Sequence, residues 1–313
     1  MFLIAIDSEG KYLAVATEDK KLEIWETSTF KRSTVELPEI GYSISCLCWG
    51  EKLNLFTGGT DDHLIKQWEL KLTEKSFDLN EIKTLREVHT EAISCLDFSR
   101  DNNLLASGGE DKKVMIFNLE GEEKVLFYEH KKAILCLAWS NYDKFLLSGS
   151  ADGEIKLVKT NTDGSFYLEN RSVFYHDGPI YGISWKPQKP LNKNKSEEQK
   201  QEMKFASCDN DCLKIWDCDK DLEIKSIILN EKNAKEDEEE DENVSQSPRN
   251  TKSPKATKDK KIKKTNKFIN IIWANDHVLY TVGEDMCLRL WDVKCGVPMK
   301  KKCFGIDGID FLI

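Results

Sequence analysis

The eight tryptophans of this 313-residue chain fall in only two slots of a recurring pattern. Trp49, Trp139, Trp185 and Trp273 each close a short apolar run that opens on Ile or Phe. Trp25, Trp68, Trp216 and Trp291 each close a second kind of run, and each lies six residues after Asp19, Asp62, Asn210 or Asp285. A large flat side chain that returns at a fixed place marks a packing gap that returns with it. Internal repetition of this kind dictates architecture before any single segment does.

Aligned on the first run, six copies emerge. They are Phe2–Asp7, Ile44–Trp49, Ile93–Phe98, Ile134–Trp139, Ile180–Trp185 and Phe268–Trp273. Second runs follow at Tyr12, Leu53, Leu104, Phe145, Met203 and Val278. Third runs open at Leu22, Leu64, Val114, Ile155, Leu213 and Leu288. Each run is short, apolar and bounded by turn residues, which is the pattern of a strand. In units three and four Asp111 and Asp152 hold the turn slot, where a carboxylate bonds nearby backbone. A weaker fourth strand follows several third strands, as at Lys124–Tyr128 and Glu223–Leu229. The expectation is six units of four strands.

These residues resemble the WD-repeat β-propeller family, and Trp216-Asp217 and Trp291-Asp292 carry its eponymous dipeptide. The resemblance implies an all-β chain with six recognisable four-stranded blades and an incomplete seventh, in one domain over 1–313. It also implies a hydrogen-bonded network in each blade, joining a His ahead of the first strand, a Ser or Thr on the second, the turn acid and the third-strand Trp. The matching sets are His89, Ser107, Asp111 and His130, Ser148, Asp152, with 22 residues from His to Asp in both. Phe117 and Val158 fill their Trp slots. His176 has Trp216 but Asn210 at the acid slot, so no unit reads as complete.

Ser, His and Asp are also the parts of a hydrolytic triad. Here the set recurs at identical spacing in adjacent units, which suits a structural device repeated per blade and not a single catalytic site. No Gly-rich phosphate loop occurs. The ten Cys include no C-x-x-C pair and the five His are scattered, so zinc spacing is absent. The expectation is therefore no catalytic residue, no cofactor, no metal, and buried reduced thiols rather than disulfides.

Two insertions interrupt the repeat. Residues 187–202 form a polar loop between the first and second strands of unit five. Residues 230–266 hold the acid run Glu236–Glu242, the pairs Ser247-Pro248 and Ser253-Pro254, and the basic cluster Lys258–Lys264. Little there can be buried, so disorder is expected. Ser247 and Ser253 are candidate phosphosites whose added charge would offset the basic cluster. That combination suits a nuclear segment, and equally a solvated linker. The last nine residues, Gly305–Ile313, read like the first strand of a further unit. Three readings of the ends stand open: a partly open six-blade ring, a partner that supplies strands to an open edge, or a piece of a longer polypeptide.

The chain carries a net charge of −9. The stretch from Glu231 to Lys267 holds eleven basic and nine acidic residues, a net of +2 that leaves −11 on the remainder. A net acidic propeller is a poor general nucleic-acid binder, so RNA contact would be indirect or through a local basic segment. No apolar run reaches membrane-spanning length and no signal-peptide pattern opens the chain. A nuclear or cytoplasmic, unsecreted protein is expected.

In this family partners bind the face around the channel. Two slots per blade map there by resemblance. The residue after the opening apolar residue reads Leu3, Ser45, Ser94, Leu135, Tyr181 and Ile269. The residue before the turn acid or amide reads Glu18, Asp61, Glu110, Ala151, Asp209 and Glu284, of which five are acidic. An acidic ring of this kind favours a Lys/Arg-rich peptide. The function implied is a non-catalytic scaffold for protein–protein interaction in a multiprotein or ribonucleoprotein assembly. The alternatives are a cytoplasmic or ciliary assembly subunit and a substrate-recognition adaptor of a ubiquitin ligase. Adaptors often carry Trp-Asp-x-Arg, whereas this chain reads Trp216-Asp-Cys-Asp219 and Trp291-Asp-Val-Lys294.

Overall fold

The structure is a computed structural model that describes residues 3–17, 21–36, 43–72, 77–86, 88–99, 103–119, 123–140, 145–160, 165–169, 174–187, 203–218, 220, 222–228, 267–285 and 287–303. Glu18, Asp19, most of the 187–202 loop, the 230–266 insertion with Ser247 and Ser253, and Gly305–Ile313 lie outside the described residues.

All the described elements are strands, and they form six antiparallel sheets in chain order. Blade one holds β1 (Leu3–Ile6), β2 (Tyr12–Ala16), β3 (Lys21–Glu26) and β4 (Arg32–Glu36). Blade two holds β5 (Ile44–Trp49), β6 (Asn54–Gly59), β7 (Ile65–Leu72) and β8 (Phe77–Leu85). Blade three holds β9 (Ile93–Ser99), β10 (Leu104–Gly109), β11 (Lys113–Asn118) and β12 (Glu123–Glu129). Blade four holds β13 (Ile134–Trp139), β14 (Phe145–Ser150) and β15 (Glu154–Thr160), and two short strands, β16 (Phe166–Leu168) and β17 (Phe174–Tyr175), share its outer edge on β15. Blade five holds β18 (Gly182–Trp185), β19 (Lys204–Cys208), β20 (Cys212–Asp217) and β21 (Leu222–Ile228). Blade six holds β22 (Phe268–Trp273), β23 (Val278–Gly283), β24 (Cys287–Asp292) and β25 (Pro298–Cys303).

First strands stack on one another along the chain: β1 on β5, β5 on β9, β9 on β13, β13 on β18 and β18 on β22. Among the described residues no comparable packing joins β22 to β1. The core is therefore five apolar layers, one between each pair of neighbouring blades. This is the six-bladed WD-repeat β-propeller arrangement that the repeat implies.

The two tryptophan slots serve two purposes. The first-strand tryptophans lock neighbouring blades. Trp49 Nε1 donates to Ala5 O at 3.0 Å and Trp185 Nε1 donates to Ala138 O at 2.9 Å, each on the preceding first strand. The other two seams carry polar stitches at the same acceptor position. Trp139 N donates to Asp97 Oδ2 at 2.6 Å, and Trp273 N donates to Ser184 Oγ at 2.9 Å. Trp68, Trp216 and Trp291 on third strands bond a second-strand hydroxyl of their own blade, and Trp216 and Trp291 are almost fully buried. Burying one such side chain is worth upwards of about 2 kcal/mol.

Several cysteines recur for a packing reason. Cys46, Cys95 and Cys136 sit opposite glycines on the second strand. A Cβ at Gly108 would lie 2.6 Å from Ile134 Cγ2 and 2.8 Å from Cys95 Sγ, so only a glycine lets thiol and neighbouring blade close over that point. Burial pushes the Cys46 and Cys136 thiols up to about 12. These thiols are free, as expected, but Cys287 is not: it is disulfide-bonded, and its register partner across β24–β25 is Cys303. The expectation of reduced thiols throughout is corrected at Cys287, which residue spacing alone does not reveal.

The register also corrects the alignment of unit one. Leu13 pairs with Ile6 and Trp25, as Leu55 pairs with Trp49 and Trp68. Ile6, not Asp7, therefore takes the aromatic slot. Asp7 is buried in the following turn, where its Oδ1 accepts Tyr12 N at 2.7 Å.

Candidate interaction face and the networks beneath it

In blades three to six the turn between second and third strands rests on buried polar groups. In blade three His89 bonds Asp111 Oδ1 through Nδ1 at 2.9 Å and Ser107 Oγ through Nε2 at 2.9 Å. Asp111 also accepts Thr90 N at 3.0 Å and Lys113 N at 3.2 Å. Blade four repeats the plan with His130 Nε2 at 2.8 Å from Ser148 Oγ and Nδ1 at 3.4 Å from Asp152 Oδ2. Both predicted sets are thus brought together.

Blade five holds the full network, contrary to the expectation that no unit is complete. His176 Nδ1 lies 3.1 Å from Asp209 Oδ2 and Nε2 lies 2.7 Å from Ser207 Oγ, which also accepts Trp216 Nε1 at 2.8 Å. The acid is Asp209, not Asn210. The cause is hairpin length. Cys208 pairs with Leu213, whereas Gly108 pairs with Val114 and Gly149 with Ile155, so the β19–β20 turn is one residue shorter. Shortening the turn moves the inward-facing position back by one. Asp209 was assigned to the docking face, but it is buried and its Oδ1 caps Asp211 N at 2.8 Å and Cys212 N at 2.6 Å.

Three further arrangements were not read from the sequence. Tyr128 on β12 donates its hydroxyl to Ser148 Oγ at 3.0 Å, in the blade whose Trp slot is Val158. Arg289 and Asp285 form a buried bidentate pair in blade six, which has no His in this position. Trp68 and Trp291 donate to Thr57 and Thr281 at 3.0 and 2.8 Å in blades without a His partner. Only the recurring hydroxyl slot on the second strand hints at these arrangements in the sequence.

The electrostatics agree with a structural role. Burial drives the His130 imidazole down to about 4, against the pull of Asp152, so the ring is neutral near pH 7. Burial alone would raise the carboxyl of Asp111, but Thr90 N–H and His89 outweigh it and hold it below the ordinary range. Asp152 and Asp209 are lowered by the same balance of burial against backbone N–H groups and His. A triad needs a base whose nucleophile can meet a substrate. Ser107, Ser148 and Ser207 are fully buried and already bonded. His130, Asp152 and Glu154 offer ligand atoms within 4.8 Å of one another, the one metal-compatible grouping among the described residues. Asp152 spends its oxygens on Lys131 N at 2.8 Å and Glu154 N at 2.9 Å, which is turn closure.

Above these networks lie the predicted face residues. Asp61, Glu110 and Glu284 are exposed and Ala151 is half-buried. Glu110 N donates to Ala92 O at 2.8 Å and Glu284 N to Lys267 O at 2.9 Å, so both occupy the same turn position. Ser45 and Ser94 are half-buried and turned to structure: Ser45 Oγ donates to Gly58 O at 2.9 Å, and Ser94 Oγ lies 2.5 Å from Ile134 O. Leu135 and Tyr181 are half-buried, and Ile269 is exposed.

The chain matches the family model for the WD domain, G-beta repeat, over residues 80–118 and 121–159, which include the His89 and His130 networks. It is 29% identical over 127 residues to Meiotic fizzy-related protein 2 of Schizosaccharomyces pombe, covering 40% of this chain and 24% of that protein. It is 31% identical over 118 residues to WD repeat-containing protein srw1 of the same organism, covering 38% of this chain and 19% of the relative. Transcriptional corepressor LEUNIG_HOMOLOG of Arabidopsis thaliana is 27% identical over 146 residues, which is 46% of this chain and 17% of that protein. The matched stretch spans about a quarter or less of each of these relatives. Six sheets of one plan, the recurring His–Ser–Asp networks and the two matched repeats together give the chain the fold and the repeats of a WD-repeat β-propeller.

Proposed function

We propose that this chain is a non-catalytic WD-repeat scaffold that holds a Lys/Arg-rich segment of a partner protein against its acidic turn face, within a nuclear assembly. The observation that carries the reading is the division of labour at the turns. The groups with catalytic composition are buried and spent on each other, while the adjoining Asp61, Glu110 and Glu284 reach solvent. Rigid turns that present like charges focus a field suited to a cationic peptide. The nuclear element rests on the composition of residues 236–264 and on a relative named as a transcriptional corepressor.

The test is fluorescence anisotropy with a labelled Lys/Arg-rich peptide, comparing the native chain with Glu110→Lys/Glu284→Lys. Each exposed contact is worth up to about 1 kcal/mol, so double reversal weakens binding by about tenfold or more, and added salt shrinks the difference. Equal affinity in the two proteins refutes the peptide face. Affinity purification of the tagged chain at moderate salt then reads the assembly, and recovery of the chain alone counts against it.

A further inference from the structure

Among the described residues no blade packs ahead of blade one or behind blade six, and these two blades expose the two halves of one kind of seam. In each internal seam, the slot of the first-strand tryptophan and the slot two residues before it cover the preceding blade. Trp273 and Ile271 of β22, for example, join Ala206, Cys208, Leu213 and Ile215 of blade five in one cluster. Register places Ile6 and Ile4 in these slots of blade one. They are 58% and 61% exposed, against 4% and 2% for Trp273 and Ile271. Leu3 and Ala5, which alternate with them along β1, pack towards blade two. In blade six the uncovered half is Tyr280, Val282, Leu288 and Leu290, the register equivalents of Ala206, Cys208, Leu213 and Ile215. Val282 is exposed and the other three are half-buried, whereas all four equivalents in blade five are buried.

Side-chain sizes say what fits these halves. The residue just before the tryptophan slot meets the tryptophan slot of the next blade. Ala5 meets Trp49, Cys48 meets Phe98, Asp97 meets Trp139, Ala138 meets Trp185 and Ser184 meets Trp273. An aromatic ring faces a short side chain in all five seams. At the two open halves both members change. The short residue becomes Ile272, which is 59% exposed, and the ring becomes Ile6. A ring laid over Ile272 would overpack the seam, and a short side chain beneath Ile6 would leave a void. Ile6 against Ile272 restores the volume. The open halves therefore fit each other better than either fits a blade of the internal pattern.

We infer that blade one of one copy of this chain packs on blade six of a second copy, with Ile6 against Ile272 and Ile4 against Leu288 and Leu290. The occupant is a second copy because both halves stay exposed within one chain while their sizes match each other. The two surfaces differ, so the contact is head-to-tail: a pair of copies leaves one half free at each end, and further copies add in one direction.

Sedimentation velocity of the whole chain over a wide range of concentration tests this, with Ile6→Asp, Ile272→Asp, Ile6→Trp and Ile6→Trp/Ile272→Ala as variants. Ile6 and Ile272 both reach solvent in the single chain, so the substitutions spare its core, and far-UV circular dichroism checks that each variant folds. The native chain is expected to form dimers and larger species as concentration rises. Either Asp variant should weaken this by about tenfold or more, because each puts a charge where an Ile would be buried. An equimolar mixture of the two Asp variants should recover a dimer and nothing larger, since one brings an intact blade six and the other an intact blade one. Ile6→Trp should weaken association, and adding Ile272→Ala should restore it. A native chain that stays monomeric at every concentration overturns the inference. If Ile4, Ile6 and Ile272 of that monomer also resist hydroxyl-radical labelling, the seam closes within one chain instead. Association that ignores both Asp variants overturns the inference too, and so does an Asp-variant mixture that stays monomeric.

Discussion

Asp209 and Asn210 are adjacent, and the pattern of the repeat and the geometry of the fold disagree about which one holds blade five together. Replacing Asp209 by Ala removes the acceptor for three donors: His176 Nδ1 at 3.1 Å, Asp211 N at 2.8 Å and Cys212 N at 2.6 Å. The side chain is nearly buried, and its carboxyl is held below the ordinary range, so the lost partner is an anion bonded to one buried and two part-buried donors. Leaving one such donor unpaired costs about 1–3 kcal/mol. The three losses share one site and do not add in full, so Asp209→Ala is expected to cost about 3 kcal/mol. Asn210 is half-buried, and its backbone carbonyl accepts Phe268 N at 2.9 Å, a bond that survives truncation of the side chain. Asn210→Ala is therefore expected to stay within about 0.5 kcal/mol of the native chain. Urea unfolding followed by tryptophan fluorescence and far-UV circular dichroism measures both, with coincident transitions required before free energies are assigned. Asn210→Ala costing as much as Asp209→Ala would refute the short-turn argument. So would Asp209→Ala costing under about 1 kcal/mol.

Two other outcomes follow from the same networks. The His130 imidazole is depressed from 6.5 to about 4 in the fold, chiefly by burial, so the unfolded chain takes up its proton first on acidification. Stability is then lost as pH falls from about 6.5 to about 4, by roughly 3 kcal/mol, and changes no further from this group below that window. The lowered carboxyls of Asp111, Asp152 and Asp209 add a loss below about 3.8 that continues through their folded values, with the same sign. A pH series of unfolding midpoints checks this, and His130→Gln should flatten the upper window while leaving the lower one. In blade six, Arg289→Met strips a buried carboxylate of its bidentate partner and should cost about 3 kcal/mol or more, whereas Arg289→Met with Asp285→Leu should recover much of that loss in the same assay.

The tryptophan spacing made the blade count, the strand order within each blade and two of the networks legible. It failed where turn length varies. Counting back six residues from Trp216 lands on Asn210, because the count assumes one hairpin geometry, while Cys208 pairs with Leu213 across a shorter turn. Blade two departs in the other direction, with Gly58 opposite Ile65. In blade one Asp7 stood in for an aromatic residue because the run was aligned from its first apolar residue instead of from its pairing with β2. The disulfide at Cys287 was hidden because no C-x-x-C pair or other spacing signal marks it in the sequence.

A deeper reason lies in which group the network is built around. Thr57, Ser107, Ser148, Ser207 and Thr281 are all fully buried, and each sits on the second strand of its blade. A buried hydroxyl must be bonded, but its chemistry does not specify by whom. Trp68, His89, His130 with Tyr128, His176 with Trp216, and Trp291 all meet that demand. The requirement sits on the hydroxyl, so its slot is constant while its partners come from different strands and different residue types. Read as a list of fixed residues, the units look defective; read as satisfied hydroxyls, five of the six are sound. Blade one places Val15 at that position, so the slot there holds no hydroxyl that needs a partner. The turns of the other blades are thereby held from beneath, and Glu110 and Glu284 stand exposed with their backbone N–H groups already bonded.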